Sequence, residues 1–289
     1  MNPQALDTKE EKTWCSGCPN NGILQSIKNA LSELVNENKL KIKDVVVVTG
    51  VGCHAKIYDY INTNAFYGLH GRVLPTCLGV RLSNPELTVI GFGGDGATYS
   101  EGIAHFIHNC RHNADIKMFV HNNQTFSLTT GQATPVSEKG FIDGTNPSGV
   151  KEQPLNPVEL ALASGATFVA RGYALDSSHL KDLMKQAIDH KGFAFIDILQ
   201  PCIIYHNQTP YFQKNIYKLG IDYNVSDFEA ALLKTREWDY CFDTDKKVPI
   251  GVFYKIQKPI FEEKWPNFKQ PWYKVERKMD WEEGVKEFK

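Results

Sequence analysis

The chain has 289 residues, 42% hydrophobic and 22% charged, a composition that can bury a substantial core without disulfides. With 32 Lys and Arg against 33 Asp and Glu, the formal net charge is −1 and no basic stripe stands out, which argues against nucleic acid as a partner. Met1 to Lys12 is polar with no signal-peptide stretch, and apolar runs are strand-sized, so a cytoplasmic protein without a membrane span is expected.

Asn20 to Glu37 carries Ile23, Leu24, Ile27, Ala30, Leu31 and Leu34 near the helical period. The valine run in Asp44 to Thr49 predicts a strand covered on both faces. A helix is expected over Arg72 to Leu82, then a buried strand over Leu87 to Phe92 that runs into Gly93-Gly94-Asp95-Gly96. Ser100 to Asn113 reads as a helix and Ile116 to Val120 as a strand. A stretch rich in Gly, Thr, Ser and Pro follows, from Asn122 to Pro157, and reads as a long loop, functional or disordered. Beyond it come a helix at Val158 to Ser164, a strand at Ala166 to Ala170, a helix at Ser178 to Asp189 and a strand at Phe193 to Leu199.

Strands alternating with helices predict an α/β fold, a mostly parallel sheet with helices on both faces, over residues 1–200. Residues 201–289 are dense in aromatics, Lys and Pro and are expected to form an irregular C-terminal extension. Trp238, Trp265, Trp272 and Trp281 there suit either packing along the domain or covering a partner.

Two segments carry phosphate and cation chemistry. Gly94-Asp95-Gly96 and Asn122-Asn123 each follow a predicted buried strand, with one helix between. A βαβ crossover places both at the carboxyl edge of the sheet, where ligands of open α/β folds bind. Asp95 offers a carboxylate and Asn123 an amide oxygen, the donor types magnesium takes beside phosphate oxygens. The flanking glycines permit close backbone approach, and the next helix can turn free N–H groups toward an anion.

Seven cysteines in a reducing compartment suggest metal or redox roles. Cys15 and Cys18 form a C-x-x-C pair, while Cys53 and Cys202 each follow a strand end. Together they can supply the four thiolates of an iron–sulfur cluster. A structural zinc or a thioredoxin-like pair are rivals on spacing alone. Cys77, Cys110 and Cys241 read as buried, inert thiols, and His105, His108 and His112, on one helix face, as ordinary partly buried histidines.

Several motifs in order carry a resemblance. Trp14-Cys15-Ser16-Gly17-Cys18-Pro19, Thr49-Gly50-Val51-Gly52-Cys53, Leu69-His70-Gly71-Arg72 and Gly93-Gly94-Asp95-Gly96 are the first four. Asn123-Gln124, Leu128-Thr129-Thr130-Gly131-Gln132, Leu199-Gln200-Pro201-Cys202 and Pro249-Ile250-Gly251-Val252-Phe253-Tyr254 follow. With them the chain resembles the thiamine-diphosphate-binding β subunit of the 2-oxoacid:ferredoxin oxidoreductases, from Trp14 to about Glu263.

That resemblance implies one 4Fe–4S cluster on Cys15, Cys18, Cys53 and Cys202, and magnesium held by Asp95, Asn123 and the Thr125 carbonyl. Val51, Gly52, Cys53, His54, His70, Gly94, Gly96, Ala97, Ser127 and Leu128 match the family's coenzyme contacts. Lys56 resembles a basic position that binds the substrate carboxylate, and His70 a position near the diphosphate or reacting carbonyl. The implied reaction is coenzyme A-dependent oxidative decarboxylation of a 2-oxoacid, 2-oxoglutarate or pyruvate, with electrons passed to ferredoxin. An α subunit, or a fused α/γ subunit, would complete the site. The chain departs from the family at Thr130, often Lys, and at His54, commonly a small residue. A non-redox thiamine-dependent decarboxylase or synthase and a zinc-binding interaction protein are the alternatives.

Overall fold

The computed structural model describes residues 1–242, 245–265, 270–276, 281–286 and 288. Its strands are β1 (Val45–Thr49), β2 (Asn64–Tyr67), β3 (Thr88–Gly94), β4 (Ile116–Asn122), β5 (Thr125–Phe126), β6 (Gln132–Ala133), β7 (Phe168–Tyr173), β8 (Ala194–Leu199), β9 (Ile216–Lys218) and β10 (Val248–Lys255). The first five helices are α1 (Asn20–Asn36), α2 (Ile57–Tyr60), α3 (Val73–Ser83), α4 (Asp95–Tyr99) and α5 (Ile103–His112). After them come α6 (Pro157–Ala163), α7 (Ser177–Asp189), α8 (Thr209–Asn215), α9 (Phe228–Thr235) and α10 (Trp281–Lys286).

The main sheet runs β2-β1-β3-β4-β8-β7-β10-β9. From β2 to β7 every neighbour is parallel, and β10 enters antiparallel to β7. Both faces are covered. Ile23, Ile27 and Leu31 of α1 and Leu180, Leu183 and Met184 of α7 pack on one side with Ile90, Phe92 and Phe119. Val73, Leu74 and Cys77 of α3, Phe106 of α5 and Val158 of α6 pack on the other with Val89, Ile116 and Met118. Alternate residues of one strand therefore feed opposite cores, which is why these strands read as unbroken apolar runs.

Two readings need correction. The helix expected over Ser100 to Asn113 is α5, starting three residues later at Ile103, and a short helix that was not expected, α4, precedes it from Asp95 to Tyr99. The segment after residue 200 is more regular than its composition suggests: β9 and β10 extend the main sheet. Trp238 is fully buried, stacked on Tyr240 at 4.4 Å, whereas Trp265, Trp272 and Trp281 are exposed. Pro266, Asn267, Phe268 and Lys269, part of the aromatic tail noted above, lie outside the described residues. The long stretch after Asn122 is ordered, carrying the β5–β6 hairpin. Among the described residues no helix is long and apolar enough to cross a membrane.

Candidate functional site

The loops after β1, β3, β4 and β8 meet at the carboxyl edge of the sheet. The register pairs Gly94 at the end of β3 with His121 on β4, and Asn122 with Leu199 at the end of β8. Asp95, Asn123 and Gln200 are thereby the next residues along three adjacent strands.

One cavity of about 90 Å³ opens there. Val51, Gly52, Cys53, His54, His70, Gly94, Asp95, Gly96, Ala97, Asn123, Thr125, Ser127 and Leu128 all line it. Every residue expected to touch coenzyme or magnesium thus faces one space. Sequence reasoning missed His121, Phe126 and Thr129, which share the lining. His121 directly precedes Asn122-Asn123, and that adjacency was the available signal.

Asp95 is buried, and burial pushes its carboxyl up to about 7. The Thr134 hydroxyl, which donates to Oδ2 at 2.7 Å, and the Asn123 N–H, 3.5 Å from Oδ1, act in the opposite sense. A buried carboxylate without a neighbouring cation is costly to ionise, and a bound divalent ion would remove that cost. Asn123 Oδ1 accepts from the Thr125 N–H at 3.1 Å, forming a tight turn. Gln124 at its apex has φ +56, a left-handed conformation. Its side-chain amide donates to the Val136 and Tyr240 carbonyls, and Ser137 Oγ donates to its carbonyl at 2.6 Å. These bonds offset the conformational cost and hold Asn123 and the Thr125 carbonyl together. The donor set fits magnesium.

Two glycines are explained by packing. Gly52, with φ +139, occupies a backbone region that other residues avoid, and a Cβ there would lie 3.1 Å from the His54 ring. A Cβ on Gly96 would lie 2.2 Å from the Phe126 ring. Burial lowers His54 to about 3, with His70 adding to the fall, and holds His121 well below its ordinary value. Both imidazoles are neutral at pH 7, and Nε2 of each is buried without a partner among the described residues. His70 is more open: Nδ1 donates to the Val51 carbonyl at 3.3 Å and Nε2 lies 3.1 Å from Glu101.

Cys15, Cys18, Cys53 and Cys202 line a second cavity of about 200 Å³. Local bonds bring them together. The Trp14 indole N–H donates to the Cys53 carbonyl at 2.7 Å, latching the N-terminal loop onto the loop after β1. Cys202 and His206 form an isolated antiparallel bridge. Burial pushes the Cys18 thiol up to about 11, against a backbone bond from Asn20, and Cys53, Cys15 and Cys202 add to the rise. Among the described residues no three His, Cys, Asp or Glu close on a single metal ion. Four thiols around one cavity are the donor set that a four-iron cluster takes.

Lys56 lines this second cavity and donates from Nζ to the Thr13 carbonyl at 3.0 Å. Cys53, Asn123, Ser127 and Leu128 line both cavities, which therefore share a wall. Cys77 and Cys110 are buried, but Cys241 is only partly so, correcting the reading of all three as buried. His112 stacks on Phe261 at 4.8 Å, an ordinary packing role.

Comparison with known proteins agrees with this geometry. The family model for the C-terminal TPP-binding domain of thiamine pyrophosphate enzymes matches residues 50–198. The model for the C-terminal part of the pyruvate ferredoxin oxidoreductase β subunit matches residues 201–270. The chain is 41% identical over 261 residues to the 2-oxoacid:ferredoxin oxidoreductase subunit beta of Saccharolobus solfataricus, covering 85% of this chain and 82% of that one. It is 31% identical over 251 residues to the 2-oxoglutarate synthase subunit KorB of Methanocaldococcus jannaschii, covering 86% and 90%. A solved 2-oxoglutarate:ferredoxin oxidoreductase from Magnetococcus marinus, with 2-oxoglutarate, coenzyme A and succinyl-CoA bound, superposes with a TM-score of 0.84 at 29% identity, covering 90% and 87%. With its sheet, its coenzyme edge and its relatives in agreement, the chain belongs to the β subunits of the 2-oxoacid:ferredoxin oxidoreductases.

Proposed function

We propose that the chain carries thiamine diphosphate, magnesium and one 4Fe–4S cluster. In this reading it serves the coenzyme A-dependent oxidative decarboxylation of a 2-oxoacid, 2-oxoglutarate or pyruvate, passing electrons to ferredoxin. One observation carries it: four cysteines from distant segments line a cavity that shares Cys53, Asn123, Ser127 and Leu128 with the coenzyme cavity. A shared wall gives electrons a short path between the two.

When bound, the coenzyme supplies an electron sink for the bond broken at the keto carbon. This chain's residues do the rest of the work at its edge. Asp95, Asn123 and the Thr125 carbonyl hold the cation, and Gly96 and Ala97 at the start of α4 present backbone near the diphosphate. His54 and His70 line the same walls. The proposed domain division at residue 200 rests on the two family models, which meet there even though β10 continues the same sheet.

The coenzyme cavity is small beside the 300–1,000 Å³ of a typical ligand pocket, which supports a site shared with an α or fused α/γ subunit. The test is anaerobic purification with and without the partner. The complex is expected to reduce a viologen with 2-oxoglutarate or pyruvate plus coenzyme A. The isolated chain should show no turnover, and robust activity from it alone would refute the shared site.

Lys56 lies beside the shared wall, where its ammonium can pair with the substrate carboxylate. Lys56→Ala is expected to raise the KM for the oxoacid about tenfold, the loss of one charge-assisted contact, while iron content stays constant. An unchanged KM ends that role.

A further inference from the structure

One buried side chain of the second cavity, bonded to Asn123 of the shared wall, has no part in the roles above. Gln200 follows β8 directly, two residues before Cys202, and is 2% exposed. Its backbone N–H donates to the Asn122 carbonyl at 2.8 Å, which anchors it against the end of β4. Its side-chain Oε1 accepts from Asn123 Nδ2 at 3.1 Å. Its Nε2 donates toward Cys18 Sγ at 3.9 Å and to the Pro201 carbonyl at 3.3 Å.

The orientation of both amides follows from chemistry. Asn123 must turn its oxygen to the cation, so its NH2 group faces Gln200. Gln200 must then offer oxygen to that NH2, which leaves its own NH2 for the sulfur. A flipped Gln200 would set donor against donor at one end and oxygen against thiolate at the other.

We propose that Gln200 is a positioning residue coupling the two centres: one end fixes Asn123 for the cation, and the other donates a hydrogen bond to the Cys18 sulfur. This rests on the cluster reading above. An N–H dipole aimed at a cluster thiolate stabilises the added electron, so it raises the reduction potential; hydrogen bonds to the sulfurs are among the recognised determinants of that potential. The donor end of the contact is buried, which limits competition from water for the Gln200 amide.

The test uses the anaerobically purified complex, wild type and Gln200→Leu. Iron content, an EPR-monitored redox titration and the dissociation constant of thiamine diphosphate with magnesium are measured. Iron content should not change. At a fixed poise the reduced-to-oxidised ratio of the cluster should fall about tenfold, which for a one-electron couple is about 59 mV. Coenzyme binding should weaken about tenfold, as for loss of a partner that orients a ligand.

Gln200→Glu separates the two ends and serves if the leucine variant does not assemble. Its carboxylate still accepts from Asn123 but cannot donate to sulfur. The potential should fall while coenzyme affinity stays within about threefold of wild type. With iron intact, a wild-type potential in either variant overturns the proposal, as does unchanged coenzyme affinity in Gln200→Leu. A wild-type complex free of iron would instead overturn the cluster reading itself, and the Gln200 role with it.

Discussion

Asp95→Ala is expected to weaken retention of thiamine diphosphate and magnesium more than about 100-fold, beyond the loss typical of a ligand's supporting partner. Calorimetric titration of the complex reads it directly. The reason is chemical: among the described residues Asp95 is the one carboxylate in the lining of the coenzyme cavity, and magnesium relies on such a group beside the phosphates. Wild-type affinity in the variant would remove Asp95 from the cation site.

The same residue should trade stability against binding. In the metal-free chain burial pushes the Asp95 carboxyl up to about 7, above the unfolded value. The folded state then holds the proton more tightly, so the group favours folding most below the unfolded carboxylate pKa, and that contribution is lost as pH rises toward 7. Asp95→Asn should therefore raise the thermal midpoint of the chelated protein at pH 8 while abolishing coenzyme binding. A lowered midpoint would show that the ionised carboxylate supports the fold itself.

The second large effect concerns the cysteines. On the proposed cluster reading, Cys202→Ala is expected to reduce iron and sulfide to a small fraction of wild type, because a four-iron cube needs a thiolate at every corner. Viologen reduction should fall to background. Thiamine diphosphate affinity should hold, since Cys202 lines only the second cavity. Cys53→Ala should damage both functions, because Cys53 faces both spaces. Full iron content in Cys202→Ala would sink the four-cysteine assignment, and equal coenzyme affinity in both variants would show that the shared wall does not matter for binding.

These contrasts depend on how side chains were brought together. Local pattern carried most of the architecture. The valine run of β1 and the apolar runs of β3, β4 and β8 mark strands buried on both faces, and α1 and α7 declare themselves by their spacing. α4 was not visible, because its first residues, Asp95 and Gly96, are standard turn residues. Between α4 and α5 a Cβ on Gly102 would lie 2.7 Å from the Ala97 carbonyl oxygen and 3.1 Å from those of Gly71 and Thr98, a close approach that only the packed structure contains. β9 and β10 were hidden for a related reason: their pairing with each other and with β7 joins segments far apart in the chain.

The candidate site divides the same way. Asp95, Asn123, Cys53 and Cys202 could be named from residue type and position after strands, and Cys15 and Cys18 from their C-x-x-C spacing, since ligand chemistry restricts both. Their family roles came with the motifs. The sequence by itself determined which residues have the right donors and which edge of the sheet they occupy. Only the tertiary structure decided that Cys53 borders both cavities, that Thr134 bonds Asp95 and Gln124 braces the turn after Asn123, and that Gln200 links Asn123 to Cys18. The physical reason is that strand periodicity sets side-chain direction one element at a time, whereas a hydrogen bond between loops depends on the register of several strands at once.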